Sequence, residues 1–138
     1  MTRAILKIAT MAALMFVAAA CSGADDDGAE AMVPIVVDAD ETVGMLGERD
    51  DLQIIDVRTP AEFDEGHLAE AQLIDVQNPA FVEQVRDLDP DGPYLVYCRT
   101  GNRSAQAVSI MRDLGFTELY NAGGLADLAV AGATVAKG

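Results

Sequence analysis

Residues 97–104, Tyr-Cys-Arg-Thr-Gly-Asn-Arg-Ser, set a thiol between two arginines, after an apolar run and before a helix-forming stretch. A cysteine alone is a small hydrophobe, so its neighbours must supply any chemistry. A segment turning sharply from strand to helix aims successive backbone N–H groups at one point and makes an anion-binding nest. Gly101 and Asn102 are residue types that tolerate the positive φ of such a turn. The following helix, starting near Arg103 or Ser104, adds the positive end of its dipole, and Arg99 and Arg103 add two full charges. Together these lower the thiol pKa and hold Cys98 as thiolate, the attacking form. No general base is then required, and the single histidine, His67 in "EGHL", reads as a hydrogen-bonded structural residue.

The elements that must position this loop follow from the apolar pattern. "VPIVV" (33–37), "LQIIDV" (52–57), "AQLIDV" (71–76), "PYLVYC" (93–98) and "ELYNA" (118–122) read as five strands. Between them lie helices over 38–49, begun by an Asp cap, and over 60–65, 79–88 and 104–114, with a last one at 124–131. Strands with Ile, Val and Leu on successive positions, separated by helices, predict an α/β fold: a parallel sheet with helices on both faces. In such sheets ligands bind beyond the carboxyl ends of the strands, where Cys98 and the "DVR" of Asp56 to Arg58 both fall. Asp56, Arg58 and Glu62 read first as an ion-paired group fixing the loop, and second as a site of substrate contact. Gly123 and Gly124 read as a tight turn into the last helix.

A chain of 138 residues holds one ordinary domain and a short extension. Residues 1–20 carry Arg3 and Lys7, then an apolar run from Ile8 to Ala20 broken only by Thr10, which is the pattern of an export signal. That run is shorter than the roughly 20 residues of a membrane-spanning helix. The "AAAC" ending at Cys21 resembles the lipobox of bacterial lipoproteins, although Leu is usual where Ala18 stands. The resemblance implies acylation of Cys21, a lipid anchor in a membrane of the cell envelope, and a mature protein facing the periplasm or exterior. The alternative is plain cleavage after an alanine and a soluble exported protein. Residues 21–33 then form an acidic tether and 34–138 the domain. Without residues 1–20 the chain keeps 7 Lys and Arg against 23 Asp and Glu, a net charge of −16, which excludes nucleic acid as a partner. With Cys21 used for the lipid, Cys98 has no disulfide partner. One histidine and no C-x-x-C leave no metal site, and no cofactor is expected.

The stretches "DVRTPAEFDEGHLAEA", "YLVYCRTGNRSAQAV" and "NAGGL" together resemble, in order and spacing, the motifs of single-domain rhodaneses. The resemblance covers about residues 34–138. It implies a three-layer α/β fold with a five-stranded parallel sheet. It also implies a cysteine that takes a sulfane sulfur from a donor such as thiosulfate, becomes a persulfide, and passes the sulfur to a thiol, cyanide or a protein acceptor. On this resemblance Cys98 is the nucleophile, and Arg99, Thr100, Gly101, Asn102, Arg103 and Ser104 cradle the outer sulfur. Ala69 and Glu70 stand where the family usually has Pro and Gly, and Leu128 where an aromatic often follows the paired glycines, which bears on the pocket wall and acceptor choice. Related phosphatases and arsenate reductases have one more residue between the Cys and the Arg, giving a tetrahedral oxyanion more room. The six-residue loop Cys98 to Arg103 suits one added sulfur. A non-catalytic binding or persulfide-carrier module on the same fold is the remaining alternative.

Overall fold

A computed structural model describes residues 34–138; the expected export signal, Cys21 and the expected tether lie outside the described residues. In chain order the elements are β1 (Ile35–Val36), α1 (Ala39–Glu48), β2 (Gln53–Asp56), α2 (Pro60–Glu65), β3 (His67–Leu68), β4 (Gln72–Leu73), α3 (Phe81–Arg86), β5 (Pro93–Cys98), α4 (Asn102–Asp113), β6 (Glu118–Gly124), α5 (Leu125–Ala131) and β7 (Val135–Ala136). Five strands form one sheet in the order β1-β6-β5-β2-β4, every pair parallel. The α/β architecture with a five-stranded parallel sheet and helices on both faces is therefore the one the sequence predicts.

β5 is the middle strand, and its alternation explains the layers. Tyr94, Val96 and Cys98 join the core cluster that Val85 of α3 and Val108 and Met111 of α4 cover; Leu95 and Tyr97 join the opposite cluster with Leu128 of α5. A strand buried on both faces must be apolar at every position, which is why "PYLVYC" shows no polar alternation. Leu95 and Val96 are fully buried, each contributing ~1.5–3 kcal/mol. Leu128 lies in this second core, so its departure from the family's aromatic is a matter of packing.

Local signals set the helix starts. Asp38 Oδ1 accepts the Glu41 amide at 2.8 Å and caps α1. Thr59 and Glu62 form a reciprocal capping box on α2, with Pro60 at its first position.

Several expectations are corrected. The 71–76 strand pairs as a strand only at Gln72 and Leu73, because the chain then bends away while the Ile74 and Val76 amides still bond to Asp56 and Val57 carbonyls at 2.9 and 3.3 Å. A second, two-stranded antiparallel sheet pairs β3 with β7, His67 opposite Ala136 and Leu68 opposite Val135. α4 begins at Asn102, earlier than expected, and of the Gly101–Asn102 pair only Gly101 has positive φ, +98°. Gly123 and Gly124 are the end of β6 rather than a separate turn, and α5 follows directly.

Candidate active site

Cys98 is the last residue of β5, fully buried, at the carboxyl edge of the sheet. The register of β5 against β6 slips between Val96 and Cys98, so Cys98 lies opposite Gly124. The loop then folds back over that strand end, and a Cβ on Gly124 would stand 2.5 Å from the Arg99 carbonyl oxygen. Glycine is thus required at 124 by close approach of the two backbones.

Gly101, left-handed at the N-terminus of α4, turns its N–H onto Cys98 Sγ at 3.0 Å. Ser104 Oγ lies 3.6 Å from the same sulfur. Burial pushes the Cys98 thiol up. The Ser104 hydroxyl and the amides of Ser104, Thr100 and Gly101 pull it down by more, so the thiol falls below its ordinary value. The N-terminal end of the twelve-residue helix α4 adds its dipole.

The two arginines are placed differently from one another. Arg103 is engaged by Glu62 in a two-point ion pair, Nη1 and Nη2 each 2.7 Å from a carboxylate oxygen, and its charge also interacts with Cys98 through space. The Arg103 guanidinium in turn holds the Glu62 carboxyl down, to about 2. Arg99 is exposed and, among the described residues, makes no ion pair; it lines a cleft of about 570 Å³. One wall of this cleft is apolar, from Leu125, Ala126, Ala129 and Val135; Arg58, Glu62 and Glu65 line another part. The groups nearest the sulfur are thus backbone dipoles and a hydroxyl, with the full charges set farther out. Ala69 and Glu70 border a separate groove beside Val43 and Leu46 and do not line this cleft.

Asp56 and Arg58 form a buried ion pair with Nη2 to Oδ2 at 2.6 Å. Tyr97 donates its hydroxyl to the same Oδ2 at 2.6 Å and accepts the Leu68 amide at 2.9 Å, while Arg58 also reaches the Gly66 carbonyl at 2.6 Å. Burial, then the carboxylate beside it, pushes the Tyr97 hydroxyl up, so it remains a donor. The network ties β2, β3 and β5 together. Glu62, grouped with Asp56 and Arg58 by sequence proximity, belongs instead to Arg103. His67 stacks on Phe63 with centroids 3.6 Å apart, and its Nδ1 meets the Phe63 carbonyl at 2.9 Å, a structural role.

Two residues near the site escaped sequence reasoning. Tyr97 looked like one more core residue of an apolar strand. Asn121, buried in β6, meets Ser104 Oγ through Oδ1 at 2.7 Å. Its signal was available: a lone amide inside an apolar strand must find partners when buried.

A parallel α/β sheet carrying a cysteine in an amide nest at a strand's carboxyl end defines a class of folds that use a thiolate toward small anionic groups. Over residues 38–129 the chain matches the rhodanese-like domain family, and it belongs to that family. It is 36% identical over 78 residues to the thiosulfate sulfurtransferase PspE of Escherichia coli, covering 55% of this chain and 73% of that protein. It is 34% identical over 98 residues to the probable adenylyltransferase/sulfurtransferase MoeZ of Mycobacterium tuberculosis, covering 71% of this chain but only 25% of MoeZ. Among solved structures, a rhodanese-related protein from Thermoplasma volcanium superposes with a TM-score of 0.64 at 27% identity, over 74% of this chain and 97% of that one. A rhodanese with anions from Escherichia coli does so at 0.53 and 31%, over 63% and 99%.

Proposed function

We propose that the protein is a sulfurtransferase of the thiosulfate type in which Cys98 carries the sulfur. The Cys98 thiolate attacks the outer sulfur of thiosulfate; a new S–S bond forms, the donor's S–S bond breaks, and sulfite leaves with the electron pair. Cyanide or a thiolate then attacks the outer sulfur of the persulfide, and the Cys98 thiolate is released. The observation that carries this reading is the Gly101 amide 3.0 Å from Cys98 Sγ inside a loop one residue shorter than that of the oxyanion enzymes. The PspE relative, which is named a thiosulfate sulfurtransferase, supports the donor. Residues 99–104 are the cradle in this proposal, and Arg99, which lines the cleft, is a cation that meets an anionic donor. Asp56 and Arg58 act by fixing the loop's surroundings.

Incubating the full chain with thiosulfate adds the mass of one sulfur to the Cys98 peptide, and cyanide removes it as thiocyanate. Cys98→Ser abolishes both steps with the fold intact, since a hydroxyl is similar in size but not ionised near neutral pH. Hydrolysis of an aryl phosphate without sulfur uptake sinks the reading. The proposal extends to placement: residues 1–20 direct export and acylated Cys21 anchors the domain. The wild type then partitions into detergent and Cys21→Ser does not; a wholly aqueous wild type overturns the anchor.

A further inference from the structure

The Ser104 hydroxyl carries one proton and has three neighbours that could take it: Asn121 Oδ1 at 2.7 Å, the Gly101 carbonyl at 3.0 Å and Cys98 Sγ at 3.6 Å. Which end of the Asn121 amide faces Ser104 is decided by a fourth group. The Gly123 N–H, a donor only, points at the same atom from 3.1 Å, so that atom must be the oxygen. An amide oxygen cannot donate, hence Ser104 gives its proton to Asn121. The lone pairs of Ser104 are then free to accept the S–H of a neutral Cys98. When the sulfur becomes an anion the polarity must reverse: a thiolate can only accept, and Ser104 must swing its proton away from Asn121 to serve it.

We propose that Asn121 is a positioning residue for sulfur transfer, holding the Ser104 proton away from Cys98 while the sulfur is neutral and releasing it to the sulfur when it is anionic. This deepens the sulfur-carrier reading and rests on it. In the transfer cycle Cys98 passes from thiolate to persulfide, and the inner sulfur loses its charge to the outer one when the donor bond breaks. A hydroxyl with two resting places follows that charge without any backbone movement. Asn121 and Ser104 are both buried, so no bulk water competes for the proton. The charged groups around this end of the sheet are Arg103 paired to Glu62, Asp56 paired to Arg58, exposed Arg99, and Asp75, which acts on Arg103. None of them makes a hydrogen bond to Asn121 or Ser104.

The test is the pH dependence of Cys98 alkylation by iodoacetamide, read by mass at the Cys98 peptide of the full chain. Asn121→Leu removes the nearer competing acceptor, leaving only the Gly101 carbonyl. The alkylation midpoint then falls by about half a pH unit to one unit, roughly three- to tenfold in proton affinity. In a Ser104→Ala background the same substitution leaves the midpoint where Ser104→Ala alone puts it. An equal shift in both backgrounds, or no shift in either, overturns the proposal. If Asn121→Leu fails to fold, Asn121→Asp serves, being almost isosteric. It raises the midpoint, and by less once Ser104 is Ala; an equal rise in both backgrounds means its charge acts alone and overturns the proposal. Alkylation is independent of sulfur uptake. A chain that takes no sulfur yet shows the coupling defeats the sulfurtransferase reading alone, whereas sulfur uptake without coupling defeats only the role of Asn121.

Discussion

Two groups that can carry negative charge end neighbouring strands of the sheet, Asp56 on β2 and Cys98 on β5, and the chain surrounds them in opposite ways. Asp56 is closed. Its two oxygens take the Arg58 amide, the Arg58 guanidinium and the Tyr97 hydroxyl, all buried with it. Cys98 is left more open, with loop amides turned on its sulfur, that of Gly101 at 3.0 Å, and the Ser104 hydroxyl no nearer than 3.6 Å. A group meant only to hold strands together is best fully satisfied, because an unpaired buried charge costs several kcal/mol. A group meant to react has to keep some of its bonding capacity for the substrate. Saturation thus separates the strand-tying Asp56 from the proposed nucleophile Cys98 more clearly than burial, since both are fully buried.

Breaking the closed side carries the largest expected effect on stability. Asp56→Ala leaves Arg58 as a buried, unpaired cation and lowers unfolding stability by about 3–5 kcal/mol in denaturant melts. Adding Arg58→Ala returns part of that loss, since no orphan charge remains. Cys98→Ser, the corresponding change on the open side, moves stability by less than about 1 kcal/mol while removing transfer. Equal losses from Asp56→Ala and Cys98→Ser contradict the contrast.

Pressing on the open side gives the next effect. Gly124→Ala drives a methyl against the Arg99 carbonyl, and backbone has no easy way to yield. Overpacking of this kind costs about 1–3 kcal/mol. The displacement also moves the loop amides off the sulfur, so transfer falls more steeply than stability and the Cys98 alkylation midpoint rises. A stability loss with an unmoved midpoint means the strain is relieved away from the loop.

The Glu62–Arg103 pair lies between the two sites and is about one-fifth exposed on each side. The folded carboxyl sits at about 2, below its ordinary 4.5, so its contribution is complete above pH 4.5 and is lost as pH falls toward 2. Wild type is accordingly more stable than Glu62→Gln by up to about 1 kcal/mol near neutral pH, and the gap closes on acidification. A gap that is constant with pH shows that the side chain's packing, and not its charge, is what matters. The same variant frees Arg103 and lowers the KM for thiosulfate if its charge can then reach the cleft.

These contrasts also show what the sequence could convey. The loop from Cys98 to Ser104 was legible because its chemistry is local: seven consecutive residues, a strand before and a helix after. The five strands were legible from burial, since a parallel sheet covered on both faces makes unbroken apolar runs. The Arg103 partner was not legible, because Glu62 is 41 residues away and pairing at that separation leaves no local pattern. β3 and β7, two residues each, are too short to show any period. Asn121 could have been singled out as a polar residue in an apolar strand, but its partner Ser104 arrives from another element.

The smallest effect concerns residues 69 and 70, on the closed side of the molecule. The Ala71 amide bonds back to the Leu68 carbonyl at 3.1 Å, closing a four-residue turn, and Glu70 at its third position has φ of +64°. Only that third position takes the left-handed conformation, so the turn is of the kind that favours Pro second and Gly third. These are the residues that rhodaneses usually carry there. The chain departs from both, and the structure separates the two departures. Glu70 holds a left-handed conformation that costs an L-residue roughly 1–2 kcal/mol, so Glu70→Gly relieves that cost and returns about 0.4–1 kcal/mol of it through the freer unfolded chain. A net gain of about 0.5–1 kcal/mol in denaturant melts is expected. Ala69, by contrast, donates its amide to the Thr134 carbonyl at 2.9 Å, extending the β3–β7 pairing. Proline has no N–H to give, so Ala69→Pro loses about 1 kcal/mol with that bond and loosens the C-terminal segment to hydrogen exchange. If both substitutions stabilise, the Thr134 bond is not worth what its geometry implies. If both destabilise, the strain at Glu70 is being offset by a contact that glycine removes.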